Sequence, residues 1–248
     1  MTVDFEKKEF PPTRPSAVAG VASDDAAERA RAFDLLVRAY WRPVYTYVRL
    51  RWRKPPEDAR DVVQAFFARA FEKKQLGGYE PGRVRFRTYL RAALDHFVAD
   101  EARAASRQKR GGGAPALALD FDDAEQALAK VPVDAENAEQ LFDREWTRSL
   151  FDAGIAALQA RCEKLGKQVH FEVFRRYVLE PETKTLEVDR PSYAEVAKAC
   201  GIAVTDVTNY LSWARKELRT CVLVRLREIT HDEEEFREEA RAVLGADP

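Results

Sequence analysis

Asp95, His96, Asp100 and Glu101 lie close together in the chain and are the residue types from which metal-dependent hydrolases build their sites. Such a site needs ligands converging from several elements and an open coordination position. His170 and His231 stand isolated, no glycine-rich loop is built to cradle a phosphate, and no serine or cysteine nucleophile motif occurs. Catalysis is therefore not expected. Cys162, Cys200 and Cys221 are far apart, with no C-x-x-C pair and no histidine at zinc-ligand spacing, which argues against a structural zinc and against a disulfide framework. Neither a metal nor another cofactor is expected.

What remains is binding chemistry. Residues 83–110 hold Arg83, Arg85, Arg87, Arg91, Arg103, Arg107, Lys109 and Arg110 against Asp95, Asp100 and Glu101. Residues 120–145 reverse the sign, with Asp120, Asp122, Asp123, Glu125, Asp134, Glu136, Glu139, Asp143 and Glu145 facing only Lys130 and Arg144. A formal net charge of -1 conceals this segregation. The basic stripe suits a polyanion, and the acidic stretch suits a cationic protein surface or plain solvation.

A second binding unit is spelled out in residues 192–219. Ser192 and Glu195 form a capping box after Pro191, and Tyr193, Val196, Ala197 and Cys200 mark the inner face of a first helix. Gly201 supplies a left-handed turn that a side chain resists. A second helix, expected to start with Thr205 or Asp206 as its cap, buries Val207, Leu211, Ala214 and Leu218. These offsets spell a helix-turn-helix. That geometry turns Asp206, Thr208, Asn209, Ser212 and Lys216 outward with Arg215 and Arg219 near phosphates, a face able to enter a major groove. Asp206 and Glu217 make it less basic than usual, and Trp213 is expected half-buried against the preceding helices.

The elements that must position these groups are helical almost throughout, and the expected fold class is all-α. Phe33, Leu36, Val37 and Tyr40, continued by Val44, Tyr47 and Val48, predict a helix bent at Pro43. Pro55 and Pro56 open a second helix with Glu57, Asp58 and Asp61 near its start and Val62, Val63, Phe66, Phe67 and Ala70 on its apolar face. Gly77 and Gly78 end that segment, and Phe86, Tyr89, Leu90, Ala93 and Phe97 line a third helix. Leu141, Phe142, Trp146, Leu150, Ile155 and Leu158 mark one long or broken helix, and Phe171, Phe174 and Val178 a shorter one. A chain of 248 residues is long enough for about two domains. The expected division is a disordered tail over 1–23, a helical domain over 24–113, an acidic tether over 114–135, a helix-turn-helix domain over 136–230, and an acidic helix or tail over 231–248, expected to be solvated. There is no run of about 18 apolar residues, and Met1 to Pro15 carries charges and prolines where a signal peptide has an apolar core, so a soluble, cytoplasmic protein without membrane insertion is expected.

Taken together, the two halves resemble the sigma-70 family of bacterial RNA polymerase sigma factors, of the extracytoplasmic-function type that keeps only regions 2 and 4. Glu57 to Lys74 (EDARDVVQAFFARAFEKK) is similar to the family's region 2 helix with its Asp-[Leu/Val]-Val-Gln word. Gly82 to Arg110 (GRVRFRTYLRAALDHFVADEARAASRQKR) is similar to the Phe-Arg-Thr-Trp-Leu segment and its basic tail. The strong match covers residues 34–110 and 191–219, with weaker similarity over 139–180.

The resemblance implies a sigma region 2-like bundle and a region 4-like helix-turn-helix domain in a factor that binds core polymerase and directs promoter-specific initiation. The implied partners are core RNA polymerase, through its β′ clamp and β flap, and promoter DNA, with room for an anti-sigma factor or other regulator. Asp61, Val62, Gln64 and Phe67 become candidates for docking on the polymerase, Val62 and Phe67 being candidates for the core as well. Arg83, Arg85, Arg87, Tyr89, Arg91, His96, Arg103 and Arg107 become candidates for reading and melting the −10 element, since an unstacked base needs aromatic walls and a single strand needs cations. Phe86 is expected in the core. Tyr89 stands where the family usually has Trp and His96 where it commonly has Asn. Thr205, Asp206, Thr208, Asn209, Ser212, Arg215 and Lys216 would address the −35 element. Pro181 to Pro191 is an insertion before the helix-turn-helix, and the acidic end of the chain could shield the basic face or bind a regulator. The alternative is a helix-turn-helix regulator that acts on duplex DNA without polymerase.

Overall fold

The computed structural model describes residues 16–105, 119–129, 137–180 and 190–245, and among these it contains helices and no strand. In chain order they are α1 (Ala17–Gly20), α2 (Ala26–Arg51), α3 (Pro56–Glu72), a 3-10 turn (Gln75–Gly78), α4 (Phe86–Ala105), α5 (Phe121–Leu128), α6 (Ala138–Lys164), α7 (Gln168–Phe174) running on into a π-turn (Arg175–Leu179), α8 (Tyr193–Cys200), α9 (Val204–Glu228) and α10 (Glu233–Leu244).

Local chemistry sets the ends. Asp25 caps α2, accepting from the Ala27 N–H at 2.8 Å. Pro55 precedes α3 with Pro56 at its first position, where a missing N–H costs nothing. Asn137 and Gln140 form a capping box at the head of α6, which runs unbroken to Lys164. Helix α2 also runs on through Pro43, which is buried within it.

The buried side chains fall into two clusters. The larger joins α1 to α5 with the first half of α6, the last turns of α9, and α10; the smaller joins the second half of α6 with α7, α8 and α9 from Val207 to Cys221. Helices α6 and α9 therefore belong to both. They cross at Gly154, where a Cβ would lie 2.6 Å from Cγ2 of Val222. In the larger cluster Trp146 is 1% exposed and its ring lies 6.5 Å from Tyr40 and 5.0 Å from the Arg87 guanidinium.

This packing corrects four expectations. Residues 16–23 are not a free tail: Ala17, Val18 and Val21 are buried, and Gly20 lets α1 approach Ala32 of α2. Within the expected tether, α5 is folded and docked, with Phe121 against Trp41 and Tyr45 at centroid distances of 5.4 and 5.0 Å. Its carboxylates bridge to α2 and α3: Asp122 pairs with Arg60, Asp123 with Arg42 and Glu125 with Arg49. The segment 136–230 is not a separate packing unit, because Phe142, Trp146 and Leu150 share the core of residues 17–98. Lastly, α10 is not solvated, since Phe236, Ala240, Glu235 and Glu239 are buried. In α5 and α10 a short segment among charges has an apolar stripe that only a neighbouring helix can cover.

Candidate nucleic-acid interface

The helix-turn-helix is built as its spacing indicates, apart from the second cap. Ser192 Oγ accepts from the Glu195 N–H at 3.3 Å while Glu195 accepts from the Ser192 N–H at 2.7 Å. Those Ser192 contacts hold the Glu195 carboxyl below its ordinary range. Gly201 adopts φ +66°, and the Ile202 N–H closes the turn on Ala197 O at 3.1 Å. Helix α9 starts at Val204 behind Ala203, which offers no side-chain cap; Thr205 and Asp206 lie in its first turn and not at the expected cap.

Val207, Leu211 and Ala214 face inward against Val196 and Ala197 of α8, Val173 and Phe174 of α7, and Leu158 and Cys162 of α6. That fixes the opposite face. Thr205, Thr208, Asn209, Ser212, Arg215 and Lys216 are exposed, while Asp206 is half-buried. Glu217 is turned away from this face and pairs with Arg161 at 2.5 Å, so it subtracts less from the outward charge than its position suggests. Trp213 is half-buried, as expected, beneath Lys167 at 4.7 Å and beside His170 at 5.0 Å. The His170 ring stacks on Tyr210 at 3.8 Å, and burial, with Lys167 adding to it, pulls the imidazole below its ordinary pKa.

On α3 the four partner candidates separate. Asp61 is exposed, and Gln64 and Val62 are half-buried. Phe67 is 0% exposed, in edge contact with Phe33 and Phe66 at 6.2 and 5.3 Å. Its candidacy as a docking residue is corrected: it is core, because position 67 falls on the same helical stripe as Val63 and Ala70.

The basic stripe is the largest departure. Arg83 is exposed and pairs with Glu80 at 2.8 Å, and Arg103 is exposed and pairs with Asp100 at 2.7 Å. His96 is exposed, and Arg107 lies outside the described residues. The three arginines between are occupied from within the chain. Arg85 meets Glu238 at 3.4 Å and Glu239 at 3.7 Å; Arg87 meets Glu239 at 3.0 Å and Asp143 at 3.1 Å; Arg91 meets Asp143 at 3.3 Å and Glu139 at 3.8 Å. Glu235 accepts from the Phe86 N–H at 2.6 Å, from the Tyr79 hydroxyl at 3.3 Å and from the His231 N–H at 2.7 Å, so it caps the head of α4 from another helix. Burial pushes the Glu239 carboxyl above its ordinary range against the pull of Arg87 and Arg85.

The aromatic walls are present but closed. Phe86 is 1% exposed, and Tyr89 is half-buried with its hydroxyl donated to Gln75 O at 2.9 Å. Tyr79 joins them at 5.3 and 5.5 Å, and His231, just before α10, stands 5.9 Å from Tyr79. Asp95, part of the acidic group on α4, accepts from the Tyr47 hydroxyl and the Trp52 indole N–H, each at 3.1 Å, and thereby ties α4 to α2. Sequence reasoning had the acidic end and the acidic stretch of 120–145 as candidate covers of the basic stripe; it did not give the pairs themselves, Glu238 and Glu239 on Arg85 and Arg87, and Asp143 and Glu139 on Arg87 and Arg91. The i,i+4 spacing of Glu235 and Glu239 beside Phe236 and Ala240 is the local signal that places both carboxylates on one docked helix face.

Compared with known proteins, the chain matches no family model, no curated relative and no solved structure. No helix among the described residues is long and apolar enough to cross a membrane.

Proposed function

We propose that this protein is an RNA polymerase sigma factor of the extracytoplasmic-function type, acting in the cytoplasm by binding core polymerase and directing promoter-specific initiation. The observation that carries the reading is the outward face of α9: an uninterrupted polar surface of Thr205, Thr208, Asn209, Ser212, Arg215 and Lys216 on the second helix of a helix-turn-helix. Bidentate amides and hydroxyls on such a face read base edges, and the flanking cations hold phosphates. This unit would read the −35 element. The frame of α2 to α4 would act as the region 2-like unit, docking on polymerase through Asp61, Gln64 and Val62 and engaging the −10 strand through the arginines and Tyr89 of the α4 segment. The two units are functional divisions of one helical frame that shares α6 and α9.

The test is co-elution of the purified protein with bacterial core polymerase, followed by promoter-dependent transcription on genomic fragments. Specific initiation that is lost in Asp61→Arg supports the reading. A second reading, a helix-turn-helix regulator without polymerase, is favoured by one observation: α9 presents the open face while the arginines of α4 are paired. Tight duplex binding with no association with core polymerase would establish it instead.

A further inference from the structure

We propose that α10 is an autoinhibitory strap: its carboxylates occupy, in the free chain, the places that the phosphates of a single nucleic-acid strand take on the Arg85–Arg87 surface, and the helix leaves when a strand binds. This rests on the proposed function and names its regulation.

The strap is defined by what it touches. A single-strand site needs cations along the backbone path and aromatic faces for the bases. The α4 segment has both; α10 covers the cations, and from its N-terminal end Glu235 and His231 reach Tyr79, which stands against Phe86 and Tyr89. Glu239 and Glu238 take Arg85 and Arg87; Glu235 takes the Phe86 N–H at the positive end of α4; the residues just before α10 bring His231 against Tyr79. Carboxylate oxygens on guanidinium groups and on a helix N-terminus are the same acceptors a phosphate would provide.

The fit is incomplete, which is what an exchangeable occupant requires. The Glu239 side chain is 3% exposed, its Oε2 has no hydrogen-bond partner, and its contact with Arg85 is a long 3.7 Å. A buried carboxylate so placed recovers little of its lost hydration. The hold on the rest of the molecule comes from Phe236 and Ala240, with Val243 and Leu244 packed against the same core. Helix α6 closes the far end of the row through Asp143, so α10 governs the Arg85–Arg87 end.

The experiment measures binding of a fluorescein-labelled single-stranded oligodeoxynucleotide by anisotropy, using the full chain without polymerase. Wild type is expected to bind weakly, and Glu238→Gln with Glu239→Gln, which keeps the shape of the strap, to bind about tenfold or more tightly, as loss of like charge against a polyanion requires. Adding Arg85→Glu and Arg87→Glu should abolish the gain. Because the variants could alter folding, the second measurement uses wild type: saturating oligonucleotide should speed hydrogen exchange in residues 233–244 while leaving residues 205–215 unchanged. Equal affinity of wild type and the Gln variant, or unchanged exchange in α10 at saturation, overturns the strap. Failure of the sigma reading looks different, since strand binding would then be gained without co-elution with core polymerase.

Discussion

Replacing Gly154 by alanine separates the crossing of α6 and α9 from any other arrangement of these helices. In an exposed or open helical position this change stabilises by about 1 kcal/mol, because glycine gives up more backbone freedom on folding. Here the added Cβ would lie 2.6 Å from Cγ2 of Val222, and it would also meet Cδ1 of Leu218 at 3.5 Å. Val222 is fully buried, so it has little room to yield. Overpacking of this kind costs about 1–3 kcal/mol. The favourable helical term offsets only part of that, and the net expectation is a loss of up to about 2 kcal/mol, or a few degrees in Tm for a chain of this size. Val222→Ala removes the obstructing methyl groups. In that background Gly154→Ala should become neutral or stabilising, a coupling of about 1–3 kcal/mol in the double-mutant cycle. Urea unfolding followed by circular dichroism measures all four proteins. A stabilising Gly154→Ala in the wild-type background, with no coupling to Val222, would refute the close crossing, and with it the sharing of α6 and α9 by the two cores.

Phe67→Ala should cost about 3–5 kcal/mol in thermal or urea unfolding, whereas Asp61→Arg should leave stability within about 0.5 kcal/mol and act only on partner association. Arg49, joined by the Tyr45 hydroxyl, holds the Glu125 carboxyl below its ordinary value, while burial and Glu125 push Tyr45 up to about 12. A depressed carboxylate stabilises above its unfolded pKa and loses that contribution as pH falls through its folded one. Glu125→Gln should therefore destabilise by no more than about 1 kcal/mol at pH 7, with the difference from wild type shrinking as pH falls below the ordinary carboxylate range in parallel urea titrations. In duplex binding, Arg215→Ala and Lys216→Ala should each lower the slope of log affinity against log salt by about 1, while Thr208→Ala and Asn209→Ala should change sequence preference with the slope unaltered.

The helix-turn-helix was almost fully legible because its determinants are local. A capping box, a glycine in the left-handed region and a period of apolar residues act over a few neighbours, so Ser192, Glu195, Gly201, Val207, Leu211 and Ala214 carry their own geometry. Thr205 and Asp206 are good capping types, but the N-cap of α9 is Ala203, which has no side-chain cap, so the local capping signal lies two to three residues too late. Phe67 was ambiguous, since a residue at the edge of an amphipathic stripe can serve a core or a partner equally well. Phe33 and Phe66 decide it.

The sequence by itself determined the helical class, the helix-turn-helix with its outward polar face and the existence of opposite charged segments. Charge in a sequence does not say which charges meet, because ion pairing depends on distance in space and long charged side chains carry no periodic signal of their partners. Only the tertiary structure decided that Glu235, Glu238 and Glu239 return across the whole chain to Arg85, Arg87 and the head of α4, and that Asp143 joins them from α6. It likewise decided that the two helical units are one frame. Gly154 can be seen in the sequence, but Val222 lies far from it there and beside it only once α6 and α9 cross.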